Sequence, residues 1–250
     1  FSADISFVGS MYHKNSYDDI KDKLPPYLRG YFDAAMLAQL NIYGDNIIDE
    51  LLTVDILKQL SEFVDFRQDK RAFSDIRLVF ESTFLGFKLA NIERVKTLNL
   101  LAKKNKVALY TDEQDASLIN VDFKGTVDYM DDMPKVFNNS SINLNMTIRN
   151  IRTGIPLRVW DILGAGGFLL TNYQIELTDY FKNEESIVYY EDMYDCCKKA
   201  EYYLLHEDKR RQIAAKGHEL VSKKHSYINR VEYILDVIGK MRSEEHTSEL

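Results

Sequence analysis

Residues 143–176, NLNMTIRNIRTGIPLRVWDILGAGGFLLTNYQIE, decide the fold. The run Ile142-Asn143-Leu144-Asn145 predicts a short strand, and Phe168-Leu169-Leu170-Thr171 predicts another. Between them the pattern from Pro156 to Leu163 predicts a helix, with proline in its favoured first turn. A strand, a helix and a second strand at this spacing form a βαβ unit, whose two strands lie parallel in one sheet. Gly164, Gly166 and Gly167 stand after the helix and before a strand. A dinucleotide fingerprint runs in the opposite order, strand, glycines, helix. These glycines therefore predict a helix C-cap that turns tightly into the next strand.

The same alternation extends in both directions. Ile5 to Ser10 predicts a buried strand ending in a glycine turn, and Val107–Tyr110 predicts a second strand. A shorter strand is expected within 121–127, a brief helix from Pro134, a short helix from Ile175 to Phe181, and a strand at Ile187–Tyr190. Glu191–His206 predicts a helix with Met193, Cys197, Ala200 and Leu204 on one face, followed by helices over 209–223 and 227–240. Asn91 is expected to cap a helix whose apolar face is Ile92, Val95, Leu98 and Leu101. The expected architecture is α/β, a Rossmann-like, doubly wound parallel sheet. Residues 17–90 depart from that alternation. Leu51, Leu52, Ile56, Leu57, Leu60, Phe63 and Val64 recur at three- and four-residue steps, and Pro25-Pro26 breaks the pattern early. This segment predicts a helical insertion after the first strand, packed on the same body because no Gly/Ser-rich linker sets it apart.

Composition narrows the function classes. The 250 residues are long enough for one sizeable α/β domain or two small ones. A net charge of −7 argues against a general nucleic-acid binder, which needs a basic surface to displace phosphate counterions. The two cysteines, Cys196 and Cys197, are adjacent, a geometry that strains any bridge between them. They are expected as packing residues in a reducing, cytoplasmic compartment. No apolar run approaches the ~20 residues needed to span a bilayer. The chain opens at Phe1, so its natural start is expected upstream. Residues 242–250, RSEEHTSEL, read as the translation of a sequencing-adaptor oligonucleotide and are set apart from the fold.

Chemistry is expected in the loop between Asn145 and Pro156, which carries Arg149, Arg152, Thr153 and Gly154. Glycine permits close backbone approach, and the free amides of the following helix start, with two nearby guanidinium groups, form an anion site. In an open α/β sheet, ligands bind at the carboxyl ends of the strands, where this loop falls. A diphosphate fits such a site. Asp161 lies within the helix among Val159, Trp160, Ile162 and Leu163. It either accepts hydrogen bonds from ribose hydroxyls, or faces solvent, or pairs with Arg158.

GIPLRVWDILGAGGFLLTN, with the upstream INLNMT, resembles the CgeB-like spore-maturation glycosyltransferases, within the GT-B transferases related to family 4. The resemblance is strong over Ile142–Asn172, weaker at residues 6–10 and in the final helices, and absent in the helical insertion. It implies that this chain is the C-terminal, donor-binding half of such an enzyme, with an N-terminal acceptor domain outside it. It implies further that Gly154, Ile155 and Pro156 form a helix start facing the donor diphosphate and sugar. Asp161 falls at the second acidic position of a Glu-x7-Glu element, which holds the ribose. Ala165-Gly166 match the turn, Glu176 matches an acidic residue near a later helix start, and Gly9 and Ser10 match the loop after the first strand. Thr153 stands at the first acidic position, eight residues before Asp161, where the family has glutamate. A hydroxyl cannot supply the charge normally placed near the donor sugar.

Transferases of this class work without a metal held by Asp-x-Asp. No Asp-x-Asp triplet occurs here, and the histidines His13, His206, His218, His225 and His246 are scattered rather than at zinc spacing. No metal and no cofactor are expected. A metal-free site must stabilise the departing diphosphate with cations and oriented amides. Arg149, Arg152 and Lys14 are the candidates for that role. The expected partners are a nucleotide-sugar donor and a glycan, protein or small-molecule acceptor, with the isolated piece inactive in transfer. A non-catalytic nucleotide- or sugar-binding module, derived from a degenerate transferase, is the alternative that Thr153 favours.

Overall fold

The computed structural model describes residues 1–64 and 75–248, with side chains as far as Met241. The expected helical run through 17–90 crosses residues 65–74, and the tail assigned to an adaptor includes Glu249 and Leu250. Both lie outside the described residues.

The chain opens with strand β1 (Ala3–Val8) and then turns to helices α1 (Ser16–Ile20), α2 (Pro26–Gln39), α3 (Ile48–Leu51), α4 (Val54–Ser61) and α5 (Ile76–Val79). A π-helical turn at Phe80–Gly86 leads without interruption into α6 (Phe87–Leu101). Strands β2 (Val107–Tyr110) and β3 (Asp122–Phe123), helix α7 (Met133–Asn139), strand β4 (Ser140–Asn145), helix α8 (Leu157–Gly164) and strand β5 (Leu169–Asn172) follow. The chain finishes with α9 (Leu177–Tyr180), β6 (Val188–Tyr190), α10 (Met193–Leu205), α11 (Glu207–Lys224) and α12 (Tyr227–Ser248).

All six strands pair in parallel in the order β3-β2-β1-β4-β5-β6. This is the strand order of a Rossmann-like, doubly wound sheet, with its reversal of direction between β1 and β4. The side chains alternate between two cores. Ile5, Phe7, Leu109, Ile142, Leu144 and Leu170 face one core, shared with α6 and α10. Ala108, Tyr110 and Leu169 face the other, shared with α7, α8, α9 and α11. Helices therefore cover both faces, as the buried, apolar character of parallel strands requires.

The helices between β1 and α6 carry a hydrophobic cluster of their own, running from Tyr17 through Leu28, Phe32, Ile48, Leu60 and Phe80 to Leu89. Pro25-Pro26 does not break this region. Pro25 is the N-cap and Pro26 the first residue of α2, where the missing N–H removes no hydrogen bond. Three other caps follow sequence logic: Asn15, Thr53 and Asp192 accept from the backbone N–H groups that open α1, α4 and α10.

Several expectations shift. Asn91 is no cap, because the π turn delivers an already formed helix; its Nδ2 donates to the Met11 carbonyl and to Asp115. Pro156 is the N-cap of α8 rather than its first residue. The buried face of α10 is Cys196, Ala200 and Tyr203, with Cys197 and Leu204 on its border. Both thiols are free, Cys196 fully buried. The glycines after α8 behave as expected. Gly166 takes φ +77°, its N–H returns to the Leu163 carbonyl, and the Gly167 N–H returns to the Ile162 carbonyl. That pair of bonds is a Schellman C-cap.

Candidate functional site

The loops after β1 and β4 flank the point where the strand order reverses, at the carboxyl ends of the sheet. Beside them lies a cleft of about 450 Å³ whose wall includes Thr147, Arg149, Arg152, Asn172 and, from the helical insertion, Gly44 and Asp45. Its floor is pinned by Asn172 at the end of β5. The Asn172 Oδ1 accepts the Thr147 N–H at 2.9 Å, and its Nδ2 donates to the Thr147 carbonyl at 2.8 Å. A side-chain amide thus replaces a strand neighbour and fixes the first residues of the loop after β4.

Arg149 and Arg152 both reach this cleft, but their charges are already paired. Arg149 is 8% exposed, with Nη2 2.9 Å from Glu93 Oε1 and Nε donating to the Ile42 carbonyl at 3.2 Å. Its guanidinium carbon sits 3.9 Å from the centre of the Tyr43 ring. Tyr43 Oη donates to Glu93 Oε1 at 3.0 Å. Arg149 therefore fastens the helical insertion to the sheet. Arg152 is half-exposed and lies 3.0 Å from Asp49 and 3.4 Å from Glu81. Burial raises the Glu81 carboxyl above the ordinary carboxylate range, and Arg152 pulls it back. Lys14 stands one strand away, exposed, with Nζ 2.7 Å from Glu113; His13 Nε2 is 2.8 Å from the same carboxylate.

The entrance of α8 is open. No side chain caps the helix, and Pro156 leaves its first amides facing outward. Thr153 and Gly154 are exposed beside it, Gly154 at φ +89°, a conformation that glycine adopts without strain. Ile155 packs against the core beneath α8. The Gly154 N–H donates to the Glu176 carboxylate, so one protein anion already rests at this corner. Gly9 continues the sheet, its N–H bonded to the Tyr110 carbonyl at 3.0 Å, and the Ser10 hydroxyl accepts from the Tyr12 N–H at 3.2 Å.

Asp161 does not line the cleft. It faces the loop before α7, where Tyr129 Oη donates to its Oδ1 at 2.9 Å and Arg158 Nη1 to its Oδ2 at 3.4 Å. The Arg158 pairing considered from spacing is present, and Tyr129 joins it. The Asp161 side chain is 19% exposed, so it reaches solvent rather than an apolar interior.

Sequence reasoning missed Glu93, Arg94, Tyr43, Tyr129 and Asn172. A signal existed for two of them. Asn91, Arg94 and Thr97 recur at helical spacing between apolar residues, and polar side chains on a buried helix stripe seldom lack specific partners. Tyr129 and Asn172 act through tertiary contacts that no local pattern encodes.

An α/β sheet of this order, with an uncapped helix start and a glycine loop at its reversal point, defines a protein built to hold an anionic ligand at its carboxyl edge. The chain belongs to the glycosyl transferase-like family, whose model matches residues 91–236. No curated protein matches it. Among solved structures, Staphylococcus aureus TarM in complex with Fondaparinux, alpha-GlcNAc-glycerol and UDP is 13% identical, with TM-score 0.46 over 74% of this chain and 42% of that one. The C-terminal domain of the Francisella tularensis group 1 glycosyl transferase LpcC is 12% identical, with TM-score 0.44 over 54% and 78%. T4 phage BGT in complex with its UDP-glucose substrate is 14% identical, with TM-score 0.43 over 67% and 50%. The chain spans less than half the length of TarM and half that of BGT.

Proposed function

We propose that this chain is the donor-binding half of a GT-B glycosyltransferase of the CgeB-like type, taking a nucleotide-diphosphate sugar for transfer to a glycan, protein or small-molecule acceptor. The observation that carries this reading is the uncapped start of α8 at the carboxyl edge of β4, inside the residues matched by the family model. In this reading the diphosphate lies against the first amides of α8 and the Gly154 backbone, approached from the other side by Gly9 and Ser10. Asp161 takes the ribose hydroxyls after Tyr129 gives way. Thr153, Ile155 and Pro156 shape the wall beside the sugar, and Glu176 contacts either the sugar or the amide it now holds.

Cleaving a nucleotide-sugar bond leaves extra negative charge on the diphosphate, and donors aimed at that charge lower the barrier. Removing one such donor costs ~2.7–4 kcal/mol of barrier at comparable oxyanion sites. Arg152 and Lys14 are exposed enough to exchange their carboxylate partners for phosphate. Arg149 is the scaffold of the loop rather than a ligand. The acceptor and its general base belong to an N-terminal domain of the same protein, and the reading includes a metal-independent reaction in the cytoplasm. Among the described residues no helix is long and apolar enough to cross a membrane.

Isothermal titration of the chain with UDP, GDP, ADP, CDP and dTDP tests the proposal. Binding of one diphosphate in preference to its nucleoside is expected; no binding of any of the five overturns it. The degenerate-module alternative predicts binding with no donor hydrolysis or transfer in the full-length protein.

A further inference from the structure

Helix α6 runs beneath the reversal point of the sheet and sends a guanidinium between the two loops that flank it. Arg94 Nη2 donates to the Met146 carbonyl, just after β4, at 2.6 Å. Its Nη1 donates to the Ser10 carbonyl, just after β1. The guanidinium carbon lies 5.2 Å from the Phe7 ring centre and 4.8 Å from that of Tyr12. Arg94 is 7% exposed, and its Nε has no partner. Tyr12 takes φ +51°, an uncommon conformation for a tyrosine, to lay its ring there.

The partners of this cation are all neutral. Among the described residues no carboxylate forms an ion pair with Arg94, and Glu93, its chain neighbour, is turned toward Arg149 and Tyr43. Lys14, Arg149 and Arg152, in contrast, each face a carboxylate within 3.4 Å. A guanidinium keeps its proton in proteins, so this is a full charge in a poorly screened place. Burial without a counterion is costly, and proteins usually resolve it with an acidic partner. Here the two carbonyls and two rings hold the charge while leaving its long-range field uncancelled. The field emerges between the loops after β1 and β4.

We propose that Arg94 is a positioning cation for the donor: an unneutralised buried charge whose field draws a nucleoside diphosphate into the crevice above it without touching the ligand. The inference rests on the reading that this crevice takes such a diphosphate. Arg94 also ties Ser10 to Met146, so the same side chain sets the width of the crevice and its potential. Its effect scales with ligand charge, which separates it from a purely structural clamp.

The test compares the wild-type chain with Arg94→Met and Arg94→Lys, using inorganic pyrophosphate, the best-binding nucleoside diphosphate of the five-base panel, and its parent nucleoside. For Arg94→Met the expected result is diphosphate and pyrophosphate affinity about tenfold weaker, with nucleoside affinity unchanged. Arg94→Lys is expected to keep the diphosphate preference at pH 7 and to lose it as pH rises toward 10. A lysine among these rings and carbonyls is pulled down in pKa by burial and becomes neutral. The wild type, whose guanidinium stays charged, is expected to change less across the same range and serves as the reference for Tyr12, Tyr190 and Lys14. Equal weakening of nucleoside and diphosphate in Arg94→Met overturns the role of Arg94 while leaving the crevice as the donor site. So does a pH profile for Arg94→Lys that matches the wild type, which decides the matter alone if Arg94→Met does not fold. Failure of the wild type to bind any of these ligands removes the donor-site reading itself.

Discussion

The carboxylate of Glu176 accepts the backbone N–H of Gly154, joining the residue before α9 to the loop before α8. Gly154 is exposed and in a left-handed conformation, with open space where a side chain would stand. A negatively charged oxygen thus occupies a helix-entrance amide in the absence of ligand, the place a phosphate oxygen prefers. Ligand and side chain compete for it. Glu176→Ala is expected to tighten inorganic pyrophosphate binding about three- to tenfold, from the loss of one opposing charge at the helix start. Titration calorimetry checks this, and an affinity that is unchanged or weaker shows that Glu176 does not compete.

Glu93 and Arg149 carry a different kind of weight. Both are buried and each is the other's counterion, with Tyr43 bridging them to the helical insertion. Removing one partner strands a charge, which costs about 3–5 kcal/mol, whereas replacing both with apolar residues of similar volume is often close to neutral. Glu93→Ala is therefore expected to lower stability by about that amount, and Glu93→Leu combined with Arg149→Leu by clearly less. Denaturant midpoints of the two variants give the comparison. A double variant as unstable as the single one means that the contacts of Arg149 with Ile42 and Tyr43, rather than the ion pair, hold the insertion.

The strands and the order of elements were legible because parallel strands buried on both faces leave short apolar runs between turn signals. Val107–Tyr110 was placed to the residue, and Ile142–Asn145 falls within the six residues of β4. Helix starts were less legible. Asn91 looked like a cap because the π turn at Phe80–Gly86 has no sequence signature, so the continuity of the helix across it was hidden. At the site, Arg149 and Lys14 were chosen for charge near a glycine loop. Charge in a sequence does not reveal whether a carboxylate from 56 or 99 positions away has already met it. Arg94 was passed over for the opposite reason: a cation in the middle of a helix reads as surface until burial is known.

Asp161 is held on one side by Tyr129, which donates to it at 2.9 Å, and that bond, foremost, raises the Tyr129 hydroxyl above the ordinary tyrosine range. A ribose hydroxyl would take over the place of the tyrosine as donor. If it does, Asp161→Ala is expected to weaken nucleoside diphosphate binding about tenfold, the loss of one charge-assisted hydrogen bond. Pyrophosphate binding is expected to stay the same, because it carries no ribose. An equal loss for both ligands assigns Asp161 to the packing of α8 instead.

Gly30 and Gly217 both sit inside helices, and the surroundings set opposite signs for the same substitution. Glycine within a helix costs about 1 kcal/mol relative to alanine. At Gly30 of α2 no atom lies within 4 Å of an added Cβ, so Gly30→Ala is expected to stabilise the protein by about 0.5–1 kcal/mol. At Gly217 of α11 the Cβ would collide with the Ser186 carbonyl and come within 2.8 Å of Leu163 Cδ2. A backbone carbonyl cannot step aside as a side-chain tip can, and overpacking typically costs about 1–3 kcal/mol. That outweighs the gain in helix propensity, so Gly217→Ala is expected to destabilise. Because Leu163 is in α8, the strain would reach the helix whose far end forms the proposed anion site. Thermal midpoints measured side by side give the signs, and a stabilising Gly217→Ala would mean that α11 does not press on α8 as closely as this geometry requires.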